Sequence, residues 1–139
     1  MKKPVLLFAL KCAVIIYLAA FTNIQHLGVS SSVSELVTKS TWKVNCFDNA
    51  TEDNTCIFEG YSFSFDPSGK VTASKNGISA EGSWLEDNIS KKISLSFNSA
   101  DAALLQLNNH WNIEKISEKG ITFENTTDNT SEKLFITAL

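Results

Sequence analysis

The sequence predicts an all-β domain, an antiparallel up-and-down barrel of about eight strands with one short helix, behind an N-terminal hydrophobic leader helix. Three observations predict it. From Ser40 onward, apolar and polar residues alternate with a period of two. Turn-forming clusters such as Asp66-Pro67-Ser68-Gly69 and Asn76-Gly77 punctuate that alternation at short intervals. Ahead of both lies an unbroken apolar run, CAVIIYLAAF, from Cys12 to Phe21.

The chain has 139 residues, room for one domain after such a leader. Lys2, Lys3 and Lys11 precede the apolar run, and a charged stretch followed by a short apolar one is the pattern of a secretory signal. A longer run counted from Pro4 is interrupted by Lys11, a charge that costs roughly 3 kcal/mol at the centre of a spanning helix. Residues 1–28 therefore read as a signal peptide. Because no A-x-A cleavage pattern is present and Gly28 to Ser32 is the best small-residue stretch, a retained membrane anchor is the alternative. The expected location is exported: periplasmic, extracellular, or held to a membrane by this segment. Cys12 follows Leu10-Lys11 and precedes the apolar run, so it is not placed to carry a lipid. Residues 29–39 read as a polar linker, with Glu35-Leu36-Val37 starting a helical turn into the first strand.

Residues 40–139 form the β domain. Trp42, Val44 and Cys46 point one way in the first strand, and a polar loop runs from Asp48 to Asn54. Tyr61, Phe63 and Phe65 alternate with serines in the clearest strand. Proline presets φ and glycine takes the left-handed position in the turn that follows. Val71 and Ala73 continue inward, and Asn76-Gly77 marks a hairpin. Ile78, Ala80, Gly82 and Trp84 are the next inward set, then Ile93, Leu95 and Phe97. There the period changes: Ser99 is placed to cap a helix from Ala100 to Leu107. Trp111 and Ile113 resume the alternation, and Ile116 falls out of phase, which predicts a bulge. Ile121, Phe123, Leu134 and Ile136 complete the inward face. Strands with one apolar face close into a sandwich or barrel, and sequential short turns favour a closed meander.

Composition excludes several functions. Beyond the leader there are nine lysines against 15 acidic residues, a net −6, and no arginine anywhere. Nucleic-acid binding needs a basic patch, so it is excluded. The same charge opposes electrostatic binding to an anionic membrane, leaving the N-terminal segment as the only expected membrane contact. Cys46 and Cys56 read as a disulfide in an exported chain, closing a loop of about ten residues and stabilising it by roughly 2.5–3 kcal/mol; two free thiols are the alternative. No metal or cofactor is expected, since zinc wants four ligands and no histidine lies near this pair. Asp48, Glu52 and Asp53 have calcium-type oxygens but not EF-hand spacing, so they read as a solvated loop. Histidine occurs only at His26 and His110. No Ser-His-Asp or Cys-His arrangement can be assembled, and Glu59, Glu81 and Glu124 fall on different strands. No phosphate loop or dinucleotide fingerprint is present. The expectation is a non-enzyme, with a hydrolase as the remaining catalytic alternative.

The layout of Ser40-Thr41-Trp42, the aromatic strand ending in Asp66-Pro67-Ser68-Gly69-Lys70, Gly82-Ser83-Trp84 and Trp111-Asn112-Ile113 resembles the small lipocalin-like domains of bacterial envelope proteins. So do the later segments Ile121-Thr122-Phe123 and Leu134-Phe135-Ile136. The resemblance spans Ser40 to Ala138 and implies the fold and an exported location, not a ligand. The chain departs from lipocalins proper, which open with Gly-x-Trp where Ser40 stands here and pack an arginine over that tryptophan.

Eight-stranded barrels either hold one small ligand or are filled by side chains. An apolar ligand would be met by Trp42, Tyr61, Phe63, Trp84 and Trp111. The size of these side chains favours a mostly filled interior. The functional expectation is an exported, non-catalytic domain binding a small apolar molecule or an envelope partner, with a purely structural or interaction barrel as the alternative.

Overall fold

The computed structural model describes residues 31–127 and 129–139. The leader over 1–28 and His26 lie outside the described residues. The elements, in order, are α1 (Val33–Val37), β1 (Thr41–Asp48), a 3-10 turn (Thr55–Phe58), β2 (Ser62–Phe65), β3 (Lys70–Lys75), β4 (Ile78–Asp87), β5 (Lys92–Phe97), α2 (Ala102–Leu105), β6 (Asn109–Ile116), β7 (Gly120–Thr127) and β8 (Thr130–Ala138). Eight strands form a closed barrel, each antiparallel to its sequence neighbours, and β8 returns to β1. The all-β, eight-stranded meander expected from the alternation is the observed architecture.

Up-and-down order sorts the connections into two ends. The first end carries α1, the β2–β3, β4–β5 and β6–β7 turns and the C-terminus. The second end carries the 3-10 turn, the β3–β4 hairpin, α2 and the β7–β8 turn. Asn76 (φ 52°) and Gly77 (φ 76°) both take the left-handed conformation that a two-residue hairpin of right-twisted strands requires. At Gly82 an added Cβ would lie 2.6 Å from the Ser96 carbonyl oxygen and 2.7 Å from the Phe97 ring. Glycine is what lets that ring fold over β4.

The core is one cluster of apolar side chains. Tyr61, Phe63, Phe65, Val71, Ala73, Ile93, Leu95, Phe97, Ile121, Phe123, Leu134 and Ile136 are all buried, as the alternation requires. Burying a Val, Leu, Ile or Phe side chain stabilises by about 1.5–3 kcal/mol before ordering costs are set against it.

The structure corrects the reading in several places. A register shift between Val44 and Cys46 reverses the phase of β1, so Phe47 enters the core. Cys46 pairs with Phe135, which lies between the buried Leu134 and Ile136, so both face outward. Ile78 is 77% exposed, because it opens β4 at the rim, past the end of the core. The helix after β5 is only Ala102–Leu105, and its cap is Asp101, which accepts from the Ala103 N–H at 2.9 Å. Ser99 instead accepts from the Asp101 N–H at 3.1 Å. The expected bulge in β6 is present between Ile113 and Lys115.

The largest correction falls on the expected linker over 29–39. From Val33 it is part of the domain. Ser32 caps α1, and Val33 and Val37 are fully buried. The Val33 and Ser34 N–H groups donate to the two carboxylate oxygens of Glu86, each at 2.9 Å. The carboxylate thus satisfies two of the orphan donors that every helix start exposes. At its other end the Val37 carbonyl accepts from Trp42 Nε1 at 2.9 Å. This helix plugs the first end of the barrel.

Candidate functional site

The barrel interior is filled. Its residual void, lined by Trp42, Val44, Phe63, Phe65, Phe123 and other apolar residues, has a volume of about 20 Å³. One water needs about 10–15 Å³ by the same kind of measure, so an organic ligand has no room without displacing the core. The five residues expected to meet a ligand do not converge. Trp42 and Phe63 line the void. Trp111 is fully buried against Phe47, with ring centroids 6.3 Å apart, and its Nε1 donates to the Leu107 carbonyl at 3.0 Å. Trp84 lies toward the first end, donating to the Asp66 carbonyl at 3.0 Å. Tyr61 lies at the second end.

A second concavity is lateral. β1 pairs with β8 along most of its length but with β2 at only two positions, Thr41↔Ser64 and Trp42↔Phe63. Beyond Trp42 the two strands part. The 3-10 turn fills only the far part of the gap, where the Phe47 N–H donates to Thr55 Oγ1 at 2.8 Å and the Asn54 N–H to the Phe47 carbonyl at 2.8 Å. Between these points an open cleft of about 750 Å³ remains, with Lys43, Val44, Cys56, Phe58, Tyr61 and Ser62 among its lining residues. That volume falls within the usual range for small-molecule and peptide sites. Val44 lines both the cleft and the internal void, so it forms the wall between them.

Tyr61 marks one edge of the cleft. Its hydroxyl donates to Asp101 in a short hydrogen bond, and the Lys75 ammonium lies 4.9 Å from its ring centroid. The bond to Asp101, reinforced by burial and by the carboxylate charge, pushes the phenol up to about 12. The same bond, with that from the Ala103 N–H, holds the Asp101 carboxyl below its usual range.

Cys46 and Cys56 are both free, so the expected disulfide is not formed. The register shift in β1 turns Cys46 toward Phe135 on the barrel wall, while Cys56 is exposed in the 3-10 turn at the cleft. Two carboxylates of the loop over 48–54 accept hydrogen bonds from nearby residues. Asp48 accepts from the Ala50 N–H, and Asp53 from the Thr55 N–H and hydroxyl, the hydroxyl being the main cause that holds Asp53 below its usual range. Among the described residues no three His, Cys, Asp or Glu side chains are grouped to hold a metal ion. Ser94 Oγ lies 2.7 Å from His110 Nδ1, a pair the sequence does not disclose because the β5–β6 register brings it together. The pair stands on the outer wall, outside the cleft described above.

The residues missed by sequence reasoning are Lys43, Val44, Phe58 and Ser62. One signal was available: the β1–β2 connection is much longer than the hairpin turns around it.

Fold and cleft define a closed eight-stranded antiparallel barrel with a filled interior and one open seam. No family model matches the chain, and no curated protein matches it in sequence. Among solved structures it is similar to a DUF4847 family protein from Bacteroides vulgatus, with a TM-score of 0.57 and 15% identity, covering 76% of this chain and 96% of that one. At that identity the likeness shows the fold alone. The neighbour belongs to a family of unknown function and points to no catalytic activity.

Proposed function

We infer that this is an exported, non-catalytic binding domain of the lipocalin-like kind, whose interior is structural and whose binding site is the seam between β1 and β2. The observation that carries this reading is the two-pair ladder at Thr41 and Trp42, with an open cleft of about 750 Å³ beyond it. From Lys43 to Cys46 the β2-facing edge of β1 has no strand partner, before Phe47 and Asp48 meet the residues ahead of the 3-10 turn, and unpaired edges are templates for extended chains. The partner class is an extended polypeptide segment: its backbone pairs with the edge at Val44, and its side chains alternate between Phe58 and Tyr61 inside and solvent outside. The interior void of about 20 Å³ argues against a carrier of apolar molecules.

The test uses octapeptides of alternating valine and threonine, with neutral, lysine or glutamate ends, followed by amide NMR. Binding is expected to perturb residues 43–45 and 60–62 and to slow amide exchange at Val44. Shifts elsewhere, or none across the panel, would sink the reading. Export is tested separately, by locating the chain in fractionated host cells.

A further inference from the structure

Charge is unevenly distributed along the barrel axis. Six of the nine lysines beyond the leader lie at the first end: Lys39, Lys70, Lys91, Lys92, Lys115 and Lys119. Six carboxylates accompany them, so this end is close to neutral, and of the six one is turned into the fold. Glu86 caps α1, whereas Asp66, accepting from the Ser68 N–H at 2.8 Å, and Asp87, accepting from the Ile89 N–H at 2.9 Å, stay exposed in their turns. Glu35, Glu114 and Glu118 are exposed as well. The connections of the second end carry Asp48, Glu52, Asp53, Glu59 and Asp101 against Lys75.

Exposed apolar side chains also mark the first end. Ile89, at the tip of the β4–β5 turn, is 98% exposed, and Leu85, on the outer side of β4, is 70% exposed. Lys91 and Lys92 follow directly. Apolar tips flanked by lysines are what membrane interfaces select, since the stem enters and the ammonium stays among headgroups. The described chain also begins here: Ser32 and Ser34 line the same shallow surface as Leu85, Glu86 and Asn88. Nine residues separate Phe21, which ends the apolar run, from Ser31, a span of at most about 35 Å. A domain on so short a tether meets the membrane at a high effective concentration, so a weak patch suffices.

We propose that the first end of the barrel is a lipid-facing surface: with the N-terminal segment retained in an anionic bilayer, the β4–β5 hairpin rests on it, Ile89 in the acyl boundary and Lys91 and Lys92 at headgroup phosphates. The net charge of −6 does not oppose this. An eight-residue strand such as β1 rises roughly 27 Å, about 20 Å along a tilted barrel axis. The acidic end therefore stands about two Debye lengths from the surface and is screened. It orients the barrel and does not repel it.

The test reconstitutes the full chain in phosphatidylcholine–phosphatidylglycerol vesicles whose acyl chains carry bromine, a tryptophan quencher. Two surface variants are compared, Ile89→Trp at the first end and Ile78→Trp at the second, each corrected for the wild-type signal. Ile89→Trp is expected to be quenched about twofold or more over Ile78→Trp, as an apolar side chain inserted about 5–10 Å would be. Each lysine near an anionic surface contributes about fivefold to binding, so adding K91E/K92E is expected to bring the two sites level. Equal quenching at both sites overturns the proposal. So does quenching of Ile89→Trp that the charge reversal leaves unchanged, or full chain that stays free of the vesicles.

Discussion

The two ends of this barrel are closed by different means. The first is sealed by α1, which brings fully buried valines and anchors both its ends, through the Glu86 carboxylate and the Trp42 indole. The second is closed in two pieces, the 3-10 turn through Phe58 and α2 through Leu104, both buried in the same core, with the Tyr61–Asp101 bond at the rim. Both plugs are continuous with the core, but the first is a single element fixed at both its ends. A plug made of two separate pieces covers only where each piece reaches, and it leaves the seam beside β1 open.

Four measurements can break or sharpen that contrast. The largest effect is expected for Trp42→Ala, which removes a fully buried indole and releases the Val37 carbonyl. It should cost about 3–5 kcal/mol in denaturant unfolding, and a loss below about 1 kcal/mol would show that α1 does not seal its end. Glu86→Ala leaves two helix N–H groups without their acceptor, and bonds to charged groups are worth about 1.5–3 kcal/mol. The amides of Val33 and Ser34 should exchange faster in it, while those of α2 stay unchanged.

Tyr61→Phe should have a smaller effect, one that depends on pH. The Asp101 carboxyl is depressed in the folded state, so its contribution is present above the usual carboxylate range and is lost as pH falls through its folded value. The Tyr61 phenol is raised to about 12, so its contribution is present below its ordinary value near 10 and is lost as pH rises toward 12. The stability gap between wild type and Tyr61→Phe should therefore be widest between those limits and shrink at both, as urea titrations across pH would show. A gap independent of pH would mean that the hydroxyl's bond does not matter. The smallest effect is expected from reductant. With Cys46 and Cys56 free, dithiothreitol should leave the melting temperature unchanged, and alkylation should label both without it.

Much of the barrel was legible because alternation reports directly which side of a strand faces the core. It failed where the backbone changed phase. The extra residue near Asn45 turns Cys46 outward and brings Phe47 in, and nothing in the run Trp42 to Phe47 announces it. At α1 the helical turn was legible at Glu35 to Val37 but its place in the core was not, because five residues among serines are too few to show a helical period. The aromatic inward list pointed toward a filled interior, and the void of about 20 Å³ agrees with it. The seam was not legible, because it depends on where β1 and β2 stop pairing, and pairing between strands joined by a long loop is set by tertiary packing. The meeting of Ser94 with His110 has the same cause.

The ladder of β1 has a kinetic consequence. Its extensive pairing runs from Trp42↔Ala138 to Asp48↔Lys133, joining the first strand of the domain to the last. Its pairing with β2, the strand made next, holds two residue pairs. Contacts this distant in sequence form late, since loop closure precedes any gain. While the chain is being made, β1 has nothing durable to join, and the barrel cannot close until Ala138 has emerged. Until then the local hairpins from β2 onward can form, but the sheet they make stays unclosed between its first and last strands.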